Sequence, residues 1–220
     1  MRHASIALSN VNSKCWCSCG ASKGNSPVHL EAARALAQAF HANNITLIYG
    51  GGTVGIMGEL ARTLVSLSGP NSVHGIIPQA LMEYEQGDSK NVPDENMYGQ
   101  TTVVTDMHTR KQLMAKKVLA GGPGSGFVAL SGGYGTLEEL MEVTTWNQLG
   151  IHDKAVVLFN VDGYWNGLLS WVKNAVGSGF IAPSNGSILV EAKQPDGVVK
   201  ALRDYVNSEG KLHLAWDAEG

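Results

Sequence analysis

Residues 127–140 read FVALSGGYGTLEEL, an uncharged apolar run that passes through a glycine-rich turn into a helical pattern. A run of this kind without charges is typical of a strand that is buried on both faces of a parallel sheet. A second segment, residues 45–58, reads ITLIYGGGTVGIMG and has the same order of strand, glycines and helix. Two such units in one chain predict an α/β fold built on a parallel sheet.

The rest of the chain continues this alternation and predicts a doubly wound sheet in three α/β/α layers. The polar segment Gln79–Gln100 has no clear period, and we interpret it as a long functional loop or a mobile flap. We predict a single domain over residues 13–210, a disordered N-terminal extension at 1–12 and a C-terminal tail at 211–220. The predicted strands are Lys14–Cys19, Ile45–Tyr49, Val73–Ile77, Thr102–Thr105, Phe127–Leu130, Ala155–Phe159 and Ser187–Val190. The main predicted helices are Pro27–Ala42, Ile56–Leu67, Met107–Leu119, Leu137–Leu149, Trp165–Val176 and Val198–Val206.

The composition narrows the class of protein. Of the 220 residues, 44% are hydrophobic and 16% are charged, which predicts a large core and excludes a disordered chain. The net charge of −3, with no long run of like charges, argues against binding to nucleic acid or to a membrane surface. No apolar stretch approaches the ~20 residues of a membrane span, and no signal-peptide pattern opens the chain. We therefore expect a cytoplasmic protein.

The three cysteines, Cys15, Cys17 and Cys19, occupy alternate positions of the first predicted strand. An odd number at this spacing cannot form a closed set of disulfides, and it differs from the C-x-x-C spacing of metal sites. We expect buried or partly buried free thiols in a reducing compartment, and no metal site.

Both glycine-rich loops are candidate anion sites, because glycine lets backbone N–H groups approach a ligand at a helix N-terminus. Residues 50–55 also fit G-x-G-x-x-G, the dinucleotide pattern, which requires an acidic residue after the next strand. Pro78 and Gln79 follow that strand instead, so a hydride-transferring enzyme is disfavoured. The phosphate-binding pattern G-x-x-x-x-G-K-[ST] is absent from the sequence.

Several longer motifs carry a resemblance to a known family. They are YGGG at 49–52, GIMG at 55–58, MHTRK at 107–111, GGYGTLEE at 132–139 and TWNQLGIH at 145–152. In this order they resemble the LONELY GUY (LOG) family of cytokinin riboside 5′-monophosphate phosphoribohydrolases, also catalogued as lysine decarboxylases. The resemblance extends from about Cys15 to Ile181, and the glycine-rich connection Gly121–Gly126 resembles fungal members.

The resemblance implies a Rossmann-like homodimer that needs no metal or other cofactor. Its expected substrate is an N6-substituted adenosine 5′-monophosphate, from which it releases the free base and ribose 5-phosphate. It implies catalytic roles for Glu139 and Arg110, and a dimer interface on the helices Met107–Leu119 and Leu137–Leu149 that buries Leu140 and Trp146. The implied substrate contacts are Glu85, Lys111, Gly132, Gly133, Tyr134, Gly135, Thr136, Leu137, Glu138 and Thr145, together with Gly51, Gly52 and Met57 of the first glycine loop.

The residue types fit this chemistry, but each has another explanation. A carboxylate such as Glu139 can stabilise an oxocarbenium-like transition state or activate water, or it can complete a helix capping box with Thr136. Arg110 can hold a phosphate or the charge of a leaving purine, or pair with Asp106 on a helix surface. We predict that Asp106 caps the helix that starts at Met107.

Two further functions stay open: a nucleosidase with broad specificity for nucleoside 5′-monophosphates, and a non-catalytic nucleotide or cofactor carrier. A decarboxylase would require a Schiff-base lysine for pyridoxal phosphate, and the sequence marks no lysine for that role. His108 and His152 are expected to be packed or solvated rather than catalytic. Ser131 stands where the family signature has proline, which predicts a looser phosphate loop and reduced but retained activity.

Overall fold

The computed structural model describes residues 12–85, 92–212 and 214. The predicted N-terminal extension, except Asn12, therefore lies outside the described residues. At the described ends, the Gly122 N–H donates to the carbonyl of Asn12 at 3.2 Å and the Leu212 N–H donates to that of Gln148 at 2.9 Å. Hydrogen bonds therefore tie both ends of this region to the domain. No helix in the described part of the chain is long and apolar enough to span a membrane.

Within the described residues, seven strands form one parallel sheet, which confirms the predicted doubly wound α/β architecture. From edge to edge the strand order is β4-β3-β2-β1-β5-β6-β7. The chain therefore builds outward from β1 on one side, then returns to place β5 on its other side. The strands are β1 (Lys14–Ser18), β2 (Thr46–Tyr49), β3 (Val73–Pro78), β4 (Gln100–Val104), β5 (Gly126–Ala129), β6 (Ala155–Phe159) and β7 (Leu189–Ala192).

Helices cover both faces of the sheet and complete the three predicted layers. They are α1 (Val28–Ala42), α2 (Gly55–Ser68), α3 (Met82–Glu85), α4 (Glu95–Tyr98), α5 (Met107–Leu119), α6 (Tyr134–Gln148), α7 (Asn166–Gly177) and α8 (Pro195–Asp204). One core cluster joins the sheet to α1, α2 and α8, and a second joins it to α5, α6 and α7.

Strand β1 shows how alternation distributes side chains between these two cores. Cys15 and Cys17 point into the core beneath α1 and α2, whereas Trp16 points into the opposite core and packs edge-on against Phe127. The thiols of Cys15 and Cys17 are buried and free, with their Sγ atoms 3.7 Å apart. The expectation of buried free thiols is confirmed.

Several elements differ from the sequence prediction, including β4, which begins at Gln100 instead of Thr102, and α8, which spans Pro195–Asp204 instead of Val198–Val206. Segment 79–100 contains a 3₁₀ turn and the short helices α3 and α4 rather than only loop, and Asp94 caps α4 by accepting from the N–H of Asn96. Strand β7 begins two residues late because Pro183–Ser187 forms a 3₁₀ helix. Helix α6 begins at Tyr134 instead of Leu137, since its glycine-rich first turn has no apolar pattern to mark it.

Candidate active site

The candidate site lies where the strand order reverses, beyond the carboxyl end of β1. Connections from β1 and β5 leave toward opposite faces of the sheet there, which opens a crevice. The crevice holds a cavity of about 350 Å³, within the size range of about 300–1,000 Å³ for small-molecule sites. Its walls are Cys17, Cys19, Gly20, Ala21, Gly50, Met57, Leu81, Met107, Arg110, Gly133, Gly135, Thr136, Glu138 and Glu139.

Glu139 is a buried carboxylate in this wall, with 8% of its surface exposed. The Ser18 hydroxyl donates to its Oε2 at 2.7 Å. The capping-box explanation is wrong, because α6 already begins at Tyr134 and Thr136 lies inside the helix. Glu139 therefore faces the site and not the backbone of its own helix terminus.

Burial raises the pKa of Glu139 above its usual value, although the charge of Arg110 and the hydrogen bond from Ser18 act in the opposite direction. The carboxylate is thus taken out of water and held beside a fixed cation. A desolvated carboxylate with a raised pKa is a stronger base than an exposed one. It also interacts more strongly with positive charge that develops nearby.

Arg110 lies in the same wall and is 5% exposed. It belongs to the first turns of α5, whose N-terminus is capped by Asp106: the carboxylate accepts from the Thr109 N–H at 2.9 Å. Hydrogen bonds from the backbone N–H and the hydroxyl of Thr109 lower the pKa of Asp106 to about 2. The predicted cap is confirmed, whereas the surface-arginine explanation for Arg110 is wrong because its side chain is buried at the cavity.

The first glycine loop leaves room for the Arg110 side chain. A Cβ at Gly50 would lie 1.8 Å from Nη2 of Arg110, so the guanidinium occupies the space that a side chain would need. The N-terminus of α2 is not open to a ligand, because the N–H groups of Ile56 and Met57 donate to the Gly20 carbonyl at 3.0 and 3.3 Å. A backbone carbonyl therefore occupies the start of α2, and next to Gly50 the loop seats the guanidinium of Arg110; an anion site on the rest of this loop stays a prediction.

The second glycine loop has the features of an anion site. A Cβ at Gly132 would lie 2.0 Å from Oγ1 of Thr136, whereas Gly133 and Gly135 have no other group within 4 Å of that position. The N–H of Leu137 donates to the Gly133 carbonyl at 3.1 Å. The N–H groups before Leu137 therefore lie ahead of the first hydrogen bond within α6. Open backbone, cavity and helix N-terminus coincide here, as anion binding requires.

Ser131, at the entry to this loop, is held by hydrogen bonds. Its Oγ lies 3.0 Å from Nδ1 of His29, and its carbonyl accepts from the Gly20 N–H at 3.0 Å. The Tyr164 hydroxyl donates to the neighbouring carbonyl of Gly132. These contacts tie the loop to α1, to the end of β1 and to residue 164, and so supply constraint at a position without proline.

Not all predicted contacts reach the cavity. Lys111 pairs with Glu138 at 2.5 Å and Glu142 at 3.1 Å. The Thr145 hydroxyl donates to the carbonyl of Met141, one turn earlier in α6. The predicted contact of Glu85 lies outside the described side chains. The predicted residues in the wall are Met57, Arg110, Gly133, Gly135, Thr136, Glu138 and Glu139; those outside it are Gly51, Gly52, Lys111, Gly132, Tyr134, Leu137 and Thr145.

Sequence reasoning missed the contribution of β1. Ser18, Cys19, Gly20 and Ala21 lie at or just after its carboxyl end, and the last three line the cavity. The signal was available, since the first strand of a doubly wound sheet borders the switch point. His152, in contrast, is packed as expected: its Nε2 donates to the Val143 carbonyl at 2.8 Å, and burial lowers its pKa to about 4.

The fold and cavity define a Rossmann-like α/β protein with a candidate small-molecule site at its switch point. A family model described as "Possible lysine decarboxylase" matches residues 57–202. A cytokinin riboside 5′-monophosphate phosphoribohydrolase of Arabidopsis thaliana is 44% identical over 203 residues, which cover 91% of this chain and 88% of that protein. This chain belongs to the LONELY GUY family.

A "Bifunctional cytokinin biosynthesis protein" of Fusarium pseudograminearum is 54% identical over 200 residues. The match covers 90% of this chain but 41% of that relative, which is therefore much longer than the shared region. It agrees with the expected resemblance to fungal members.

Among solved structures, a molybdenum cofactor binding protein of Rippkaea orientalis matches 89% of this chain and 98% of its own, with a TM-score of 0.61 and 20% identity. The molybdenum cofactor carrier protein of Chlamydomonas reinhardtii matches 88% of this chain and 97% of its own, with a TM-score of 0.62 and 16% identity. At these identities the likeness establishes the fold alone.

Proposed function

We propose that this chain hydrolyses the N-glycosidic bond of N6-substituted adenosine 5′-monophosphates to the free base and ribose 5-phosphate. The observation that carries the proposal is the buried Glu139 carboxylate, which shares one cavity with Arg110 and with the open N-terminus of α6. The phosphoribohydrolase name of the Arabidopsis relative supports the same reaction.

The cavity suggests one orientation for the substrate. The 5′-phosphate binds at Gly133, Gly135 and Thr136, where the α6 terminus favours negative charge. The base lies toward Met57, Leu81 and Met107, whose apolar side chains form another part of the wall. Thioether groups pack well on aromatic rings, so this part of the cavity suits a purine with an apolar N6 substituent.

In this orientation Glu139 lies beside the anomeric carbon. As the C1′–N9 bond breaks, its carboxylate stabilises the positive charge that develops on the ribose, and it can accept a proton from the attacking water. Arg110 stabilises the electron pair that leaves with the base. The purine takes up a proton and leaves, while the hydroxyl from water remains on C1′ of ribose 5-phosphate.

The residues present do not fit the lysine decarboxylase description. A Schiff-base lysine needs a lowered pKa to be nucleophilic. Burial alone lowers the pKa of Lys111, but its hydrogen bonds and ion pairs with Glu138 and Glu142 outweigh burial and raise it. The side chain is also absent from the cavity wall, so Lys111 is unsuited to hold pyridoxal phosphate.

A substrate panel tests the proposed function. The purified protein is incubated with N6-isopentenyl-AMP, AMP and the N6-isopentenyl riboside, and the free base is followed by chromatography. We expect release from the prenylated nucleotide, slower release from AMP and none from the riboside, because the riboside lacks the anionic group that the α6 terminus binds. Equal rates for both nucleotides would favour a general nucleosidase, and binding without turnover would favour a carrier.

We also propose that the protein forms a homodimer through the exposed faces of α5 and α6. Tyr134, Leu137 and Met107 expose apolar surface there. Leu140, expected in that interface, is instead buried in its own core. Light scattering at micromolar concentration should give twice the monomer mass, and a monomer would contradict the proposal.

The buried, reduced thiols of Cys15, Cys17 and Cys19 support a further part of the proposal, a location in the reducing cytoplasm.

A further inference from the structure

We propose that Ser18 is a positioning residue whose hydroxyl holds the Glu139 carboxylate in one orientation toward the cavity. The kinetic part of this inference rests on the proposed function. The structural part concerns the free protein, and it can be tested whether or not the chain turns over a nucleotide.

The backbone around Ser18 is fixed on both sides. Ser18 is the last residue of β1 and pairs with Ala129 of β5, and its carbonyl accepts from the Leu130 N–H at 3.0 Å. Strand alternation points Cys17 into the opposite core and leaves Ser18 on the side of α6. Its hydroxyl can therefore meet Glu139, at 2.7 Å, without any movement of the sheet.

Three other side chains act on the Glu139 carboxylate. Arg110 faces it from α5, and the Trp16 side chain of β1 also lowers its pKa by hydrogen bonding. Glu138 precedes it on α6 but is paired with Lys111. The Cys17 thiol, which lines the same cavity, is kept neutral because burial raises its pKa. The Ser18 hydroxyl thus adds a directional hydrogen bond to the charge of Arg110 at this carboxylate.

The hydrogen bond from Ser18 also affects the protonation of Glu139. A hydrogen bond donated to a carboxylate favours its charged form, and Ser18 lowers the pKa of Glu139 against the effect of burial. Without the Ser18 hydroxyl, one of the groups that lower the pKa of Glu139 is lost while burial still raises it. The pKa of Glu139 is therefore expected to rise farther. A Ser18→Ala enzyme should then lose activity at a higher pH than the natural enzyme.

The first experiment is the pH profile of kcat/KM with N6-isopentenyl-AMP. We expect the acidic limb of Ser18→Ala to move to higher pH by about one unit, so that activity on that limb falls about tenfold. Ser18→Thr keeps a hydroxyl and should restore the natural limb. Ser125→Ala is the matched control, because Ser125 is also buried and donates at 2.7 Å to the Gly122 carbonyl, outside the cavity wall.

The second experiment needs no substrate: Tm is measured from pH 4 to pH 9 for the natural protein and Ser18→Ala. The bond is strongest with ionised Glu139, so the loss of Tm should be largest at high pH and shrink as pH falls through the pKa of Glu139. In a Glu139→Gln background the loss should be independent of pH.

The role of Ser18 would be overturned if Ser18→Ala showed the same acidic limb of kcat/KM as the natural protein and Ser125→Ala, and a loss of Tm that does not change with pH. If no nucleotide is hydrolysed by any variant, the proposed function fails, and the Tm profiles alone decide the role of Ser18.

Discussion

Replacing Glu139 with glutamine should lower kcat by about 10³-fold, in the range found when a positioned acid or base is lost. Glutamine has nearly the same shape and can still accept from the Ser18 hydroxyl, but it can neither stabilise a cation by charge nor take a proton from water. The measurement is the release of free base from N6-isopentenyl-AMP under saturating conditions. Glu31→Gln, an exposed change on α1, is the matched control and should keep full activity.

The same substitution should leave Tm at pH 7 unchanged or higher. Because burial raises the pKa of Glu139 in the folded protein, the folded state binds this proton more tightly than the unfolded state. Ionised Glu139 therefore costs stability above the raised pKa, and the cost disappears as pH falls toward the usual value of a glutamate. Glutamine removes that cost at neutral pH. If Glu139→Gln kept activity within tenfold of the natural enzyme, or lost much of its Tm, the catalytic role assigned to Glu139 would be contradicted.

Contacts that are local in sequence were predictable. The cap of α5 by Asp106 lies within three residues of its partner Thr109, and both glycine loops follow directly from their strands. Amino-acid type and spacing are enough to recognise such features. The parallel sheet followed from the alternation of uncharged runs with helical patterns in the same way.

Long-range partners could not be derived from spacing. Ser18 and Glu139 are 121 residues apart, and only the adjacency of β1 and β5 brings them together. The contact between the Gly20 carbonyl and the start of α2 likewise depends on how two neighbouring loops meet. That contact occupies the first N–H groups of α2 with a protein carbonyl. Pattern alone treated the two loops as equivalent, and tertiary packing separates them.

Gly50→Ala should lower kcat/KM about 10²-fold, the cost expected when a catalytic group is displaced by about 1 Å. The added Cβ would lie 1.8 Å from Nη2 and 2.9 Å from Cζ of Arg110, and 3.4 Å from Sδ of Met57. Those atoms are the ends of flexible side chains, so the guanidinium can move aside while the backbone stays. Gly50 is also not among the glycines with positive φ, so alanine fits its backbone conformation. We expect little change in Tm.

Two comparisons separate this mechanism from general damage. Gly177→Ala adds a methyl group where nothing lies within 4 Å and should leave kcat/KM unchanged. In an Arg110→Met background, Gly50→Ala should cost little further activity, because the group that it displaces is already gone. A full additional loss in that background would show that Gly50 acts on the substrate directly. A strong coupling would instead mean that Gly50 acts through Arg110, so that the first glycine loop of this Rossmann-like site serves to seat a cation.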